Sequence, residues 1–325
     1  MYALTIRRAV LLIELLLMLS AGRSFGALLT SGNIVVSNSP FGSQDLFEYT
    51  PAGVRVQQIP VTPAGDGRDL VIDRDGRVQL YNGSFAPTLT AYDPATGTFS
   101  SRTITGWSTD NNLTYGGIGA FGRYIFVTDM ATAGAGSPQG VVRFDLDGGP
   151  TVRFATNLEP IDLYVGLDGL LYTLSVGSAF NGGGNQVDVF DPQSMAFVRT
   201  VTLPDEHRAI AVVANGDIFT AGDGVKRYSP AGVLLDSIAD PGIGGLADID
   251  INRSGGVLVA SHGGTLLLTT TDLDSITSFQ TRSSNLYNFA AWVQAPVPEP
   301  TTLGPLTLGV IAAGLLRRRG PTRGS

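Results

Sequence analysis

Six segments of the chain repeat one pattern, in which a short apolar run follows a glycine or a polar turn. The runs are NIVVSN from Asn33, GRVQLYN from Gly76, GRYIFVTD from Gly122, GLLYTLS from Gly169, GDIFTAG from Gly216 and GGVLVAS from Gly255. From Gly76 onward they are spaced 46, 47, 47 and 39 residues apart. A period of this length indicates small units that bury apolar surface only against their neighbours.

Each unit predicts four antiparallel strands. An alternating run such as LVID or LADIDI precedes the glycine, and the Asp-Gly, Asn-Gly or Ser-Gly pair between two runs is typical of a tight hairpin turn. A third run ends in an aromatic residue before another turn, and a fourth run follows. The aromatic residue recurs as Tyr49, Tyr92, Phe144, Phe190 and Tyr228. Four strands in about 40 to 50 residues are the signature of one blade of a β-propeller.

The number of units indicates a closed ring of six blades. Residues 27–296 divide into six lengths of 45 residues. The first unit lacks an innermost strand, whereas LYNFAAWV, which ends at Val293, has no blade after it. We therefore expect the last strand to complete the first blade beside Ile34, in an all-β six-bladed β-propeller. A seven-bladed ring is the alternative, because residues 98–117 are long enough to contain another strand pair.

Over most of residues 30–295 the repeat resembles the NHL-type and related six-bladed propellers. The resemblance implies an architecture more than an activity, since one fold can carry many unrelated functions.

The N-terminus has the pattern of an export signal. Arg7 and Arg8 precede an apolar run, and Ser24 and Gly26 supply the small residues that signal peptidase reads before a cut at Ala27. Residues 1–26 are therefore expected to be a signal peptide, which leaves residues 27–296 for the propeller. Glu14 interrupts the apolar run, so a retained signal anchor is the alternative.

A second apolar run lies at the C-terminus. It covers residues 303–316, which is 14 residues and short of the ~20 that a helix needs to cross a bilayer. Arg317, Arg318 and Arg319 follow it and would stay on the cytoplasmic side, with the body of the protein outside. We expect one hydrophobic helix that holds the chain at the membrane only transiently. An ordinary short tail anchor is the alternative.

Pro298-Glu299-Pro300, the apolar run and the arginine cluster together resemble the PEP-CTERM sorting signal of bacterial exported proteins. In that family a membrane enzyme of the exosortase type is thought to recognise Pro-Glu-Pro and process the tail. The resemblance implies that residues 297–325 are a sorting and anchor segment, and that the body reaches the cell surface or an extracellular polysaccharide matrix.

Charge and cysteine content exclude several classes of function. Removing residues 1–26 takes away three Arg and one Glu, and removing residues 301–325 takes away four Arg, which leaves 14 basic and 27 acidic residues and a net charge near −13. A body this acidic does not suit nucleic acid, whose phosphates need a basic surface. The chain contains no cysteine, which excludes thiol catalysis and cysteine metal sites.

The candidate metal ligands are acidic residues on or beside the innermost strands. They are Asp69, Asp73, Asp162, Asp248 and Asp250. Six-bladed lactonases and lyases hold a divalent metal with acidic and amide groups at the channel mouth. The resemblance thus implies calcium or another divalent cation as a possible cofactor, and a metal-dependent lactonase or lyase as the alternative function. Asp73 also opens a stretch that begins like a calcium loop, but RVQLYNGS after it lacks the remaining EF-hand ligands, which favours a hairpin turn.

The two histidines, His207 and His262, lie in different units. A Ser-His-Asp triad would need Ser261 or another serine to meet one of them across the ring. We expect His207 in a loop and His262 in a turn after a strand, with no catalytic role for either.

Glycine- and serine-rich segments between second and third strands should gather on one face of the disc, here called the loop face. These segments are residues 38–44, 133–139 and 181–186. Binding residues often lie on loops that a rigid scaffold positions. With Phe41 and Phe180, the loop face is the expected binding surface, and a polysaccharide or a surface protein is the expected partner.

Overall fold

The structure, a computed structural model, describes ten segments of the chain: residues 28–38, 44–65, 67–82, 88–104, 116–129, 140–156, 158–176, 183–243, 245–281 and 288–294. All of them belong to the first of two compact units, Met1–Ala295. The second unit, Pro296–Ser325, holds the expected sorting segment and lies outside the described residues, as does the expected signal peptide. The described segments form strands and turns and contain no α-helix, hence none that could span a membrane.

The described residues form six four-stranded antiparallel sheets, the blades. Along the chain, blade 1 contains β1 (Ile34–Asn38), β2 (Asp45–Tyr49) and β3 (Arg55–Pro60); blade 2 contains β4 (Gly67–Ile72), β5 (Val78–Asn82), β6 (Thr88–Asp93) and β7 (Thr98–Thr103); blade 3 contains β8 (Ile118–Phe121), β9 (Tyr124–Asp129), β10 (Gly140–Asp145) and β11 (Val152–Ala155). Blade 4 contains β12 (Pro160–Val165), β13 (Leu171–Ser175), β14 (Gly184–Phe190) and β15 (Phe197–His207); blade 5 contains β16 (Ala209–Val212), β17 (Ile218–Ala221), β18 (Gly224–Tyr228) and β19 (Leu234–Ala239); blade 6 contains β20 (Leu246–Ile251), β21 (Gly256–Ser261), β22 (Thr265–Thr270) and β23 (Thr277–Gln280). The last strand, β24 (Asn288–Trp292), is the innermost strand of blade 1.

The innermost strands close a ring around a central channel. Each one, in the order β24, β4, β8, β12, β16 and β20, contacts the next, and β20 contacts β24 again. At the seam, β24 pairs antiparallel with β1, with Ile34 opposite Trp292 and Val36 opposite Ala290. The expected closure by the last strand is confirmed. The described chain forms six blades, so the seven-bladed alternative is wrong.

The turn between the first and second strands has the conformation that its sequence predicts. Gly76 and Gly169 have φ values of +76° and +85°, a left-handed backbone that favours glycine. The Asp73 carbonyl accepts a hydrogen bond from the Gly76 N–H at 3.0 Å, which closes the hairpin.

Apolar side chains between consecutive blades form the core. One cluster joins blades 2 and 3 through Leu89, Ile118 and Phe144, and another joins blades 4 and 5 through Leu174, Ile210 and Tyr228. Equivalent clusters lie at the other contacts between blades. Because each blade buries both faces against its neighbours, the stability of any blade depends on ring closure.

Candidate functional site

Three buried aspartates occupy the same place in alternate blades. Asp69, Asp162 and Asp248 lie on the innermost strands β4, β12 and β20, and each is 7 to 8% exposed. Each lies at a shift in the register with the second strand, which marks a β-bulge. We call these three residues the aspartate ring. The prediction that these acidic residues lie on the innermost strands is confirmed.

Each carboxylate of the aspartate ring bridges two blades. Asp69 accepts a hydrogen bond from the N–H of the following Leu70 at 2.7 Å and from that of Ile118 in blade 3 at 2.8 Å. Asp162 accepts from Leu163 at 2.8 Å and from Ile210 in blade 5 at 2.8 Å. Asp248 accepts from Ile249 at 2.7 Å and from Ala290 in blade 1 at 2.8 Å.

These bonds solve a problem of edge strands. An innermost strand is the edge of its sheet, so some of its N–H groups have no partner strand. The innermost strands of blades 3, 5 and 1 each donate such an N–H to a carboxylate of the preceding blade. The aspartate ring therefore connects blade 2 to blade 3, blade 4 to blade 5, and blade 6 to blade 1.

A glycine makes room for one member of the aspartate ring. A Cβ atom on Gly117, next to β8, would lie 2.3 Å from the Asp162 Oδ1 atom and 2.2 Å from the Leu163 backbone nitrogen. Only a residue without a side chain lets blade 3 approach blade 4 so closely. The sequence showed this glycine, but the reason for it depends on a contact between two blades.

A second layer lies two residues further along the innermost strands. Asp250 accepts hydrogen bonds from the N–H groups of Ile251 and Trp292, both at 2.8 Å, so the seam between blades 6 and 1 has two carboxylate bridges. Tyr164 of blade 4 donates its hydroxyl to Asp250 of blade 6 at 3.0 Å. This bond therefore joins two blades that are not neighbours in the ring.

Removing the Tyr164 hydroxyl should weaken the ring measurably. Tyr164→Phe leaves an oxygen of the half-buried Asp250 with one donor fewer, and we expect a loss of about 1 to 2 kcal/mol in the free energy of unfolding. Urea denaturation followed by circular dichroism measures it. Tyr124→Phe is the control, because it removes the same atom from a tyrosine of β9 whose ring packs beside the Arg143 guanidinium. Equal effects of the two variants would argue against a role for the bond between Tyr164 and Asp250 in stability.

Burial and mutual repulsion change the acidity of this site. Burial, followed by repulsion from Asp248, raises the pKa values of Asp69 and Asp162 well above the ordinary value of 3.8. Burial also raises the pKa of Asp248 to about 7, with a smaller contribution from Asp250. The pKa of Tyr164 is raised well above 10 by burial and by the Asp250 charge, so this hydroxyl remains a donor. The environment of the site therefore disfavours the ionised form of these carboxyl groups.

Asp73 does not belong to this site. Its Oδ1 atom accepts hydrogen bonds from the N–H groups of Asp75 at 2.9 Å and Arg77 at 3.0 Å, and Gln79 donates to its Oδ2 atom at 2.7 Å. Burial raises its pKa, and these donors oppose the rise. The expected hairpin turn is confirmed. Within the described ranges, no three His, Asp or Glu residues are grouped so that they could hold a metal ion.

The predicted loop position of His207 is wrong. His207 is the last residue of β15, is 2% exposed, and lies 3.0 Å from the Tyr228 hydroxyl through its Nε2 atom. Burial, followed by the nearby Lys226 charge, lowers its pKa to about 4, so the imidazole is neutral at pH 7. His262 lies in a turn, as expected, with its Nε2 atom 2.8 Å from the Arg208 guanidinium. Sequence reasoning missed both Tyr228 and Arg208 as partners.

Several expected functional residues lie outside the described residues. They are Phe41 and Phe180 of the loop face, Pro298, Glu299 and Pro300 of the sorting motif, the arginines at 317–319, and Ser24, Gly26 and Ala27 at the expected signal cleavage site.

Comparison with known proteins shows the fold alone. No protein-family model matches the chain, and no curated protein matches it. A chain in the crystal structure of a nidogen/laminin complex is similar, with a TM-score of 0.61 and 13% identity over 81% of this chain and 99% of that chain. A streptogramin B lyase has a TM-score of 0.53 and 14% identity, over 79% of this chain and 86% of the lyase. Virginiamycin B lyase from Staphylococcus aureus has a TM-score of 0.52 and 14% identity, over 79% of this chain and 87% of that one.

Proposed function

We propose that the chain is an exported, non-enzymatic β-propeller that its tail directs to the cell surface or to an extracellular polysaccharide matrix. One observation carries this proposal: a PEP-CTERM-like order of Pro298-Glu299-Pro300, apolar run and arginine cluster follows the strand that closes the ring. That strand, β24, ends at Trp292, six positions before Pro298. Cleavage at the motif would therefore leave every described strand in place.

The chemistry of the tail suits a temporary attachment of the chain to the membrane. Pro298 and Pro300 lack a backbone N–H and favour an extended conformation before each proline, which a protease-like groove can bind. The short apolar run holds the chain at the membrane, while the arginines stay on the cytoplasmic side. In this proposal, signal peptidase removes residues 1–26, and an exosortase-type enzyme then processes the tail.

A binding or structural role fits the propeller body better than catalysis. The contacts between blades account for the carboxylates of the channel without any ligand, since each accepts backbone N–H groups. Nothing in the described ranges favours the alternative of a metal-dependent lactonase or lyase. The likeness to two lyases has 14% identity and bears on the fold alone. A polysaccharide or a surface protein remains the proposed partner, on the loop face.

Processing of the tail can be tested by mass spectrometry of the mature C-terminus, in cells with and without an exosortase-type enzyme. We expect the mature protein to have lost residues 317–319 only in cells with the enzyme. The variant Glu299→Ala should keep the arginines and stay in the membrane fraction, because the motif loses its one charged side chain. Glu206→Ala, an exposed change on β15, should be processed normally. A wild-type protein that retains the arginines in cells with the enzyme would show a plain tail anchor.

The role of the body can be tested on an array of bacterial polysaccharides. Saturable binding that is lost when loop-face residues Phe41 and Phe180 are both changed to alanine supports a binding role. Absence of saturable binding to any polysaccharide on the array would instead favour a structural matrix component.

A further inference from the structure

Exposed apolar side chains gather where the outermost strands begin. Eight of them are 43 to 62% exposed, and each lies in the first two positions of its strand or directly before it. They are Val54 and Val56 in blade 1, Phe197 and Val198 in blade 4, residues 233–235 in blade 5 and Ile276 in blade 6. We call these residues the apolar rim.

The apolar rim lies on the side of the disc opposite the loop face. Neighbouring strands of each blade are antiparallel, so the fourth strands run towards the loop face and begin at the other face, here called the turn face. Within the described residues, every large apolar side chain that is exposed on an outermost strand lies at this end. Single exposed apolar residues are normal, but a patch confined to one face indicates an interaction surface.

The apolar rim covers four consecutive blades, because blades 4, 5, 6 and 1 follow one another around the ring. Blades 2 and 3 present charged side chains at the turn face instead. Arg74 of blade 2 pairs with Asp147 of blade 3, and Arg123 pairs with Asp145 within blade 3. The turn face therefore has an apolar sector and a charged sector.

The chain leaves the propeller at the same face. β24 ends there, and Val293 after it exchanges backbone hydrogen bonds of 2.8 Å with Gly32 and Asn33, which lie just before β1. The described residues end at Gln294, nine positions before Leu303, where the C-terminal apolar run begins. Nine positions of extended chain span at most about 30 Å. A bilayer that holds the apolar run would therefore lie within that distance of the turn face.

We propose that the apolar rim rests in the headgroup region of a lipid bilayer while the tail holds the chain there, so that the loop face is directed away from the membrane. The inference rests on the membrane step of the proposed function. The apolar run is short for a bilayer span, and a weak apolar attachment becomes stable when a second contact adds to it. The apolar rim supplies that contact on the face where the tail begins, and it leaves the loop face free to reach a polysaccharide.

The contact with the bilayer is apolar rather than electrostatic. The body carries a net charge near −13, which opposes attraction to anionic headgroups. A zwitterionic bilayer is therefore the suitable probe, because binding to it depends on the apolar side chains.

A single fluorescent label can test the orientation of the disc. The chain has no cysteine, so an introduced one is the only thiol. Val233→Cys places it directly before β19, and Ala239→Cys places it at the loop-face end of the same strand, about 20 Å away. Each full-length variant, labelled with an environment-sensitive dye, is added to phosphatidylcholine vesicles that contain a nitroxide lipid. We expect the label at position 233 to lose about half of its fluorescence or more, and the label at position 239 to lose little.

Flotation of the same vesicles separates failure of the tail from failure of the apolar rim. A chain that floats with the vesicles while the label at position 233 is not quenched contradicts the apolar rim and leaves attachment by the tail intact. Equal quenching at both positions contradicts an orientation with the turn face on the membrane. A chain that does not float contradicts both attachment by the tail and the apolar rim. Excimer emission from pyrene at position 233, without quenching, would identify a second copy of the chain as the occupant and overturn the proposal.

A variant with fewer apolar side chains tests the contact itself. Changing Phe197, Val233 and Leu235 together to serine should weaken binding of the full chain to phosphatidylcholine vesicles roughly ten-fold or more. All three side chains are exposed, so the variant should fold, which circular dichroism checks. Thr98→Ser, at the first position of β7 in blade 2, is the control and should bind as the wild type does. Wild-type binding by the folded triple variant would overturn the proposal, and the fluorescence experiment decides it if that variant does not fold.

Discussion

Replacing Ala291 by proline is expected to open the propeller at its seam. Ala291 lies opposite Val35 in the middle of the pairing between β24 and β1. Its neighbours Ala290 and Trp292 donate their N–H groups to Asp248 and Asp250, away from β1, so the Ala291 N–H faces β1. Proline removes that donor and places its ring against the partner strand.

The cost should be large because the seam strand has buried neighbours on both sides. Phe289 and Ala291 pack towards blade 2, whereas Ala290 and Trp292 pack towards blade 6. Losing β24 would expose both clusters and leave the inner edge of β1 unpaired. We expect a loss on the order of 3 kcal/mol or more in the free energy of unfolding. Guanidinium denaturation followed by circular dichroism measures it.

Leu235→Pro is the matched control. Leu235 lies on β19, the outermost strand of blade 5, at a register shift where it has no partner on β18, and it is 51% exposed. Proline is tolerated at edges and bulges, so we expect a change below about 1 kcal/mol. Similar losses in the two variants would mean that the seam contributes no more to stability than an outer edge.

The architecture could be predicted because its signals are local. Apolar runs, Asp-Gly turns and the recurring aromatic residue each lie within a few positions, and their spacing gives the number of blades. Closure of the ring could also be predicted, because the first unit lacks a strand and LYNFAAWV has no blade of its own. The long stretch behind the seven-bladed alternative, residues 98–117, contains β7 and ends just before β8, and its residues 105–115 lie outside the described residues.

The role of the channel aspartates could not be predicted in the same way. Sequence places Asp248 and Asp250 on one face of a strand, because side chains alternate. It does not show that their acceptor atoms meet Ala290 and Trp292, 42 positions later in the chain. The metal hypothesis is an interpretation of acidic side chains, four of which, Asp69, Asp162, Asp248 and Asp250, each accept a backbone N–H of another blade.

His207 shows a different limit of prediction from the sequence. The run FVRTVTLPDEH loses its alternation of apolar and polar residues at Pro204, which is consistent with the expected loop position of His207. In the structure β15 continues to His207, which pairs with Gly184 after a bulge. The preceding Gly183 makes room for this end of β15, because a Cβ atom there would lie 2.9 Å from the His207 carbonyl oxygen. A long-range pairing therefore overrides the local signal.

The recurring aromatic residue yields the second large effect, because it fills the contact between blades. Phe144 is 1% exposed and packs with Leu89 of blade 2 and Ile125 of blade 3. Phe144→Ala should cost about 3 to 5 kcal/mol, since the cavity lies between two sheets that cannot collapse onto it freely. Phe190→Ala, at the equivalent but only half-buried place in blade 4, should cost less.

Phe197→Ala provides the baseline for this series, because Phe197 is 60% exposed at the start of β15 and should change stability by no more than about 0.5 kcal/mol. Urea denaturation of all three variants should give the order Phe144, Phe190, Phe197. A ring in which blades stack independently of their aromatic residues would show similar small losses at all three positions. The predicted order instead requires that the repeated aromatic residue carries the contact between neighbouring blades.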